Sequence, residues 1–353
     1  MKDSENIGNV RRAHRFDEDR LCAYLEKELT EFSGELDVRQ FGYGQSNPTY
    51  LLLDASNHKE YVLRKKPPGK LLPSAHAVDR EYRILKALHE TDVPVPEVVV
   101  FCDDASVVGT PFYIMERIKG RIFRDAAAQE AIDPKERSDI FDAMNDTLAK
   151  IHRVDWQAAG LETFGKPGNY MVRQVSKWSR QYIASNTDPI ESMNRLIEWL
   201  PENMPQDTTP AIAHGDFRIE NLIFHPNEPR VLAVLDWELS TLGHPLADLA
   251  FNCMGYYIPA SASSTLGLAG IDLAAKGIPT EREYVAAYCG RTDRKEIPDW
   301  TYFMAFSLFR MAAIVQGVYK RGLDGIASSA NAKTYGAYVQ FLADSAWDII
   351  QKK

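Results

Sequence analysis

The chain has 353 residues, 45% of them hydrophobic and 25% charged. That composition excludes wholesale disorder and suffices for one large two-lobed domain or two ordinary ones. Forty-one Lys and Arg against forty-nine Asp and Glu leave a net charge of −8, which argues against a nucleic-acid binder that depends on phosphate attraction. Cys22, Cys102, Cys253 and Cys289 form no C-x-x-C pair, so neither a zinc ribbon nor a disulfide framework is expected. Reduced, buried thiols fit a cytoplasmic location. Residues 1–20 mix charges without an apolar run and do not read as a secretory signal. The longest apolar stretch, 303–319, is interrupted by Arg310 and Gln316 and reads as a buried helix, so no membrane partner is expected.

In chain order, the first third is strand-rich. Runs at 37–41 and 49–54 flank a loop holding Gly42 and Gly44, and the turn 55–58 leads into a third run at 60–66. The three are expected to form consecutive antiparallel hairpins. Residues 77–90 follow as a helix, with Tyr82, Leu85, Leu88 and His89 at helical spacing and Pro94 and Pro96 ending it. Strands near 97–102 and 111–117 are separated by the turn-forming stretch 103–109. From Gly120 the pattern becomes helical: Ile140, Met144, Leu148 and Ile151 form one stripe behind the start signal Asp133-Pro134. Residues 170–200, 284–288 and 300–321 have helical composition. A strand-like island lies between them at 211–214, 221–225 and 231–236. The expected fold class is α+β: a five-stranded antiparallel N-terminal lobe with one helix (1–117) and a mainly helical C-terminal lobe (118–353).

The chemistry is concentrated in His214-Gly-Asp-Phe-Arg-Ile-Glu-Asn221 and in the apolar run 231–235 that ends at Asp236. An acid and an amide five residues apart, on a loop between apolar strands, can point into one cavity. Asp216 can accept the proton of an attacking hydroxyl, and Asn221 can give a hard cation a neutral oxygen. The order resembles the catalytic loop and metal-binding Asp of kinases. Here, however, the loop reads HGD and the second motif DWE. With the following GHPLADLA, these resemble the aminoglycoside phosphotransferase and choline kinase family of small-molecule kinases. The resemblance implies a protein-kinase-like two-lobed fold, ATP and Mg²⁺ as cofactors, Asp216 as catalytic base, and Asn221 and Asp236 as metal ligands.

The same resemblance assigns the nucleotide site. Gly42, Gly44, Ser46 and Asn47 would close a loop over phosphate, with Asn47 where the kinase pattern has a third glycine. In YVLRKK, alternation puts Val62, Arg64 and Lys66 on one face and Leu63 and Lys65 on the other. Arg64 falls at the phosphate-binding lysine, where a guanidinium can grip phosphate bidentately. Glu81 is its expected ion-pair partner, with Asp79 and Glu90 as alternatives. Glu116 and Ile118, at the interlobe hinge of such kinases, would offer main-chain groups to adenine. His214 and Asp248 are expected to hold the catalytic loop, and His225 and His244 lack a zinc spacing.

The longer strings YVLRKKPPGKLLPSAHAVDREYRIL and LDWELSTLGHPLADLAF resemble one subgroup, the kinase-like domain attached to acyl-CoA dehydrogenase family members 10 and 11 and its free-standing bacterial versions. The subgroup implies a small hydroxylated acceptor, a hydroxyacyl-CoA or hydroxy acid, for which Arg218, Arg310, Lys320 and Arg321 are candidate anion contacts. The two lobes leave no room for a dehydrogenase domain in 353 residues. Two alternatives stay open. One is a kinase of a sugar, choline-like or aminoglycoside acceptor, with Trp237, Tyr256 and Tyr257 as a candidate choline cage. The other is a catalytically silent nucleotide-binding module.

Overall fold

Alternating apolar residues in the first third build an antiparallel sheet of β1 (Ile7–Gly8), β2 (Leu36–Phe41), β3 (Thr49–Asp54), β4 (Glu60–Lys65), β5 (Val98–Cys102) and β6 (Phe112–Glu116). Its spatial order is β1-β2-β3-β4-β6-β5. The five expected strands are present, and a two-residue sixth extends the edge beside β2. The computed structural model describes all residues except 1–5, 31, 33, 43–46, 68, 70–75, 207–208, 261–265, 328–330 and 353.

The sheet carries helices on both faces, so successive residues of β4 are both covered. Leu63 joins a core with Leu21 and Leu25 of α1 (Glu18–Glu28). The other face meets α2 (Val78–His89), whose buried residues are Val78, Glu81, Ile84, Leu85 and Leu88. This stripe is rotated from the expected one: Glu81 is inside and His89 is exposed, because a charged residue occupies a core-facing position. The segment expected as a turn at 103–109 contains a single helical turn, α3 (Ala105–Val108), started by the Asp104 carboxylate and ended by Gly109 in the left-handed conformation.

Packing draws the division of the chain differently from a cut at 117/118. One unit holds 1–122, 159–161 and 221–240; the other holds 123–158, 162–220 and 241–353. The return of 221–240 has a physical cause. The hairpin of strands Leu222–Phe224 and Val231–Val234 is bonded to the first unit through Val234 N–H to Pro94 O (2.9 Å) and a mutual Arg121–Phe224 bridge. Gly120 lets that bridge close, since a Cβ there would lie 2.2 Å from Phe224 O.

The second unit is helical: α4 (Pro134–Arg153), α5 (Tyr170–Ser185), α6 (Glu191–Glu202), α7 (Pro245–Cys253), α8 (Leu273–Lys276), α9 (Glu281–Arg291), α10 (Trp300–Leu323) and α11 (Gly336–Gln351). The α4 stripe Ile140, Met144, Leu148 and Ile151 is buried as its spacing predicts. Central α10 packs against α5, α7 and α11. By length and hydropathy α10 passes for a membrane span, yet 72% of that window is buried inside the protein, and it reads as a core helix. One two-stranded ribbon, Ala211–Ala213 with Thr241–Gly243, leads into and out of the HGD motif's surroundings. All four cysteines are free.

Candidate active site

The nucleotide half of the predicted site lies in the first unit and centres on Arg64. Its strand neighbour across the sheet is Tyr113 of β6. Same-face cross-strand partners lie side by side, so both reach Glu81 on α2. Arg64 Nε is 2.8 Å from Glu81 Oε2, and the Tyr113 hydroxyl donates to Glu81 Oε2 at 3.0 Å. Asn47 Nδ2 donates to Glu81 Oε1 at 2.8 Å. Glu81 is 1% exposed, and burial pushes its carboxyl pKa up while Arg64 pulls it back. The surrounding donors are those of a carboxylate acceptor. Burial opposes the Arg64 charge, but Glu81, Tyr113, Asp236 and Glu238 outweigh it and raise its pKa.

Asp236 completes the cluster. Its Oδ1 accepts from Arg64 Nη2 at 2.6 Å, and its backbone is left-handed (φ 64°, ψ 56°), a conformation that Asp tolerates better than most side chains. Asn221 is held nearby in the same hairpin, because Leu235 N–H donates to Asn221 O at 2.8 Å. The structure thus brings Arg64, Glu81, Asn47, Asn221 and Asp236 into one region of one unit. The Asn47 side chain is committed to Glu81 and to His76 (2.9 Å), which leaves its backbone for any phosphate contact. Gly42 follows β2, and its N–H donates to Asn6 O; Gly44 and Ser46 lie outside the described residues. Glu116 ends β6, with its carboxylate on Glu97 N–H (3.0 Å), and Ile118 follows the strand.

The predicted catalytic loop lies in the second unit. Asp248, fully inside α7, accepts His214 N–H at 2.6 Å and Gly215 N–H at 2.8 Å. Burial opposes its charge, but His152, His214 and the Gly215 N–H hold its pKa below the usual carboxylate range. Arg310 Nη2 donates to Gly215 O at 2.8 Å, while Asn252 Nδ2 donates to Phe217 O at 3.3 Å. The backbone on both sides of Asp216 is therefore fixed by side chains from α7 and α10. Gly215 takes φ 85°, a turn open to glycine. The Asp216 carboxylate is 22% exposed and lies 3.4 Å from Arg218 Nε, and Arg218 also meets Glu220 at 3.3 Å. Arg310 and Asn252 act through α-helical positions far along the chain. Arg310 figured in the sequence only as an anion contact, and Asn252 carried no local motif.

Trp237 does not read as a cage wall: it is buried and donates from Nε1 to Val234 O. Tyr256 and Tyr257 donate to Pro279 O and Glu281.

Comparison with known proteins gives the family and the fold. Residues 37–287 match the phosphotransferase enzyme family APH, and the chain belongs to that family. It is 48% identical over 349 residues to mouse acyl-CoA dehydrogenase family member 10, covering 99% of this chain and 32% of that protein. The chain spans about a third to under half the length of the curated relatives it matches. A crystal structure from Ralstonia eutropha JMP134, provisionally named an aminoglycoside phosphotransferase, is 46% identical, with TM-score 0.87 over 96% of this chain and 99% of that one. Choline kinase from Cryptosporidium parvum Iowa II shares the fold at 15% identity, with TM-score 0.62 over 95% and 97% of the two chains. The fold is thus the protein-kinase-like α+β class of the phosphotransferase and choline kinase structures.

Proposed function

We propose that this phosphotransferase is an ATP- and Mg²⁺-dependent kinase of a small hydroxylated acceptor, a hydroxyacyl-CoA or hydroxy acid, acting in the cytoplasm. The observation that carries this reading is the buried Arg64–Glu81 pair beside Asp236, which is 33% exposed. A guanidinium anchored from behind by one carboxylate is preorganised to hold phosphate. Asn221 and Asp236 fit magnesium: both offer hard oxygen donors in one hairpin. Among the described residues no three His, Cys, Asp or Glu gather as a metal cluster; a two-ligand protein site completed by phosphate and water is the magnesium pattern.

When bound, ATP supplies the phosphoryl group and Mg²⁺ offsets its charge. The chain's own part is positioning. Arg64 would orient the phosphates, together with backbone groups of Gly42 and Asn47 at the two ends of the glycine loop. Backbone groups at Glu116 and Ile118 would be offered to the adenine, and Asp216 would orient the acceptor hydroxyl and take its proton. The acceptor class is supported by the 48% identity to a protein named as an acyl-CoA dehydrogenase family member.

One observation favours a second reading, a silent nucleotide-binding module. Arg64 Nη2 and Asp236 Oδ1 satisfy each other at 2.6 Å, and a chain that kept this pair closed would not turn over. Mg²⁺-dependent ATP consumption across hydroxyacyl-CoAs, hydroxy acids, choline, sugars and an aminoglycoside, with Asp216→Asn as control, separates the readings. Phosphorylated hydroxyacyl product that vanishes in the variant is expected. ATP binding without turnover of any acceptor would favour the silent module, and turnover of choline or a sugar alone would move the acceptor class.

A further inference from the structure

Beside the catalytic loop, within the second unit, lies a partly open cleft that the mechanism above does not use. Fourteen residues line it, and only Arg218 and Glu220 are charged. Its walls are Phe141, Met144, Met254, Leu268 and the ring of Tyr284; Ala126 also lines it. Methionine and aromatic walls suit a flexible aliphatic ligand better than a hydroxyl-covered one. Arg218 links the cleft to the proposed base, because its guanidinium is shared between Asp216 and Glu220. With both neighbours anionic, that guanidinium is already neutralised and does not call for an anionic ligand.

One wall residue, Asn252, points to the ligand's chemistry. Asn252 Nδ2 faces the Phe217 carbonyl, which can only accept, so the amide orientation is set and Oδ1 is turned away from it. Asn252 Oδ1 is buried and has no hydrogen-bond partner in the structure. A buried acceptor without a donor is costly, and a ligand O–H or N–H would relieve it.

We propose that this cleft is the acyl pocket of the acceptor site. It receives the uncharged aliphatic chain of a hydroxyacyl thioester, and Asn252 Oδ1 accepts from an N–H of the thioester arm, the hydroxyl proton being committed to Asp216. The inference rests on the phosphotransferase reading of Asp216 and adds the part of the acceptor that this chain selects.

The test is kcat/KM for straight-chain hydroxyacyl thioesters and hydroxy acids of increasing length. Wild type, Ala126→Phe and Asn252→Leu are compared, beside calorimetric binding of the same compounds without nucleotide. Nucleotide affinity serves as the folding control for both variants. In wild type, kcat/KM should rise about fourfold for each methylene buried, until the cleft is full. Ala126→Phe should stop that rise at a shorter chain and cut long-chain kcat/KM at least about tenfold, mainly through KM. Asn252→Leu also frees Phe217 O, so its loss counts for the pocket only where it exceeds that on the shortest acceptor: about three- to tenfold more on thioesters that fill the cleft. Chain-length-dependent binding that Ala126→Phe abolishes, without turnover of any acceptor, would support the pocket while sinking the kinase reading. A flat chain-length profile, or turnover of a sugar that Ala126→Phe leaves untouched, would overturn the pocket and leave the kinase standing.

Discussion

Arg64 and Lys65 are adjacent in sequence and meet opposite chemistry. Arg64 faces carboxylates, whereas Lys65 is 5% exposed, donates to Val108 O and lies over the Phe16 ring at 5.1 Å. The period of two separates them legibly, but not which face is dry, because the Lys65 side is covered by the single turn α3 and by α1, whose buried stripe is only Leu21 and Leu25. Replacing Arg64 by Ala strands Glu81 without its counter-charge and should cost about 3–5 kcal/mol in urea unfolding. Lys in its place should restore part of the stability but not the two-carboxylate grip. Lys65 supplies the pH dependence. Burial lowers its pKa from 10.5 to about 8, so folding disfavours the charged form. The penalty is full below about pH 8 and lifts as pH rises toward 10.5. Against Lys65→Met, wild type should therefore gain about 2 kcal/mol between pH 7 and 10. A difference flat in pH would contradict this. At Asp216, Asn should lower kcat roughly 10²–10⁴-fold while nucleotide affinity holds.

Among the elements, β2–β4, the α4 stripe and the HGD-to-Asp236 island were legible because each carries a strong local period or motif. Others were not. Helix α1 buries little beyond Leu21 and Leu25, so its period is thin, although the Asp17 cap on Arg20 N–H marks its start. Two-residue β1 exists only through its pairing with β2, which no local signal encodes. Helix α11, by contrast, spaces Val339, Leu342, Ala343 and Ala346 by threes and fours, a signal present in the sequence but absent from the expectations. The half of the site in the helical unit was legible at its loop and at Asp248, which the GHPLADLA string marked as a holder of that loop. The clamps Asn252 and Arg310 come from α7 and α10, and distance along the chain hides that role. One connection makes an element-scale prediction. Gly277 ends α8 at φ 69°, and a Cβ there would lie 1.9 Å from Pro134 O at the start of α4. Gly277→Ala should therefore cost more than the usual roughly 1 kcal/mol of a left-handed site, read as a lower urea midpoint at unchanged slope.

At the scale of the molecule, the first unit is not a continuous stretch of chain. It takes 221–240 from far downstream, and with it Asn221, Asp236 and the hairpin bonded to Pro94 and Arg121. A fragment ending at residue 117 should consequently melt broadly and bind no nucleotide. A chain joining 1–122 to 221–240 through a Gly/Ser linker should melt cooperatively in a calorimeter. A sharp transition from the shorter fragment would show the hairpin to be dispensable. The sequence could not reveal this, since helical periodicity between residues 134 and 202 separates the pieces without recording where each one packs.

The same discontinuity sets a timetable on the ribosome. Residue 240 leaves the exit tunnel 118 residues after residue 122, roughly 6–24 s later at ordinary elongation rates. Through that interval the nascent sheet holds Arg64 and Glu81 without Asp236 and leaves the hairpin's apolar berth bare. Chaperone demand during synthesis should fall once residue 240 emerges, well before the last helix is made.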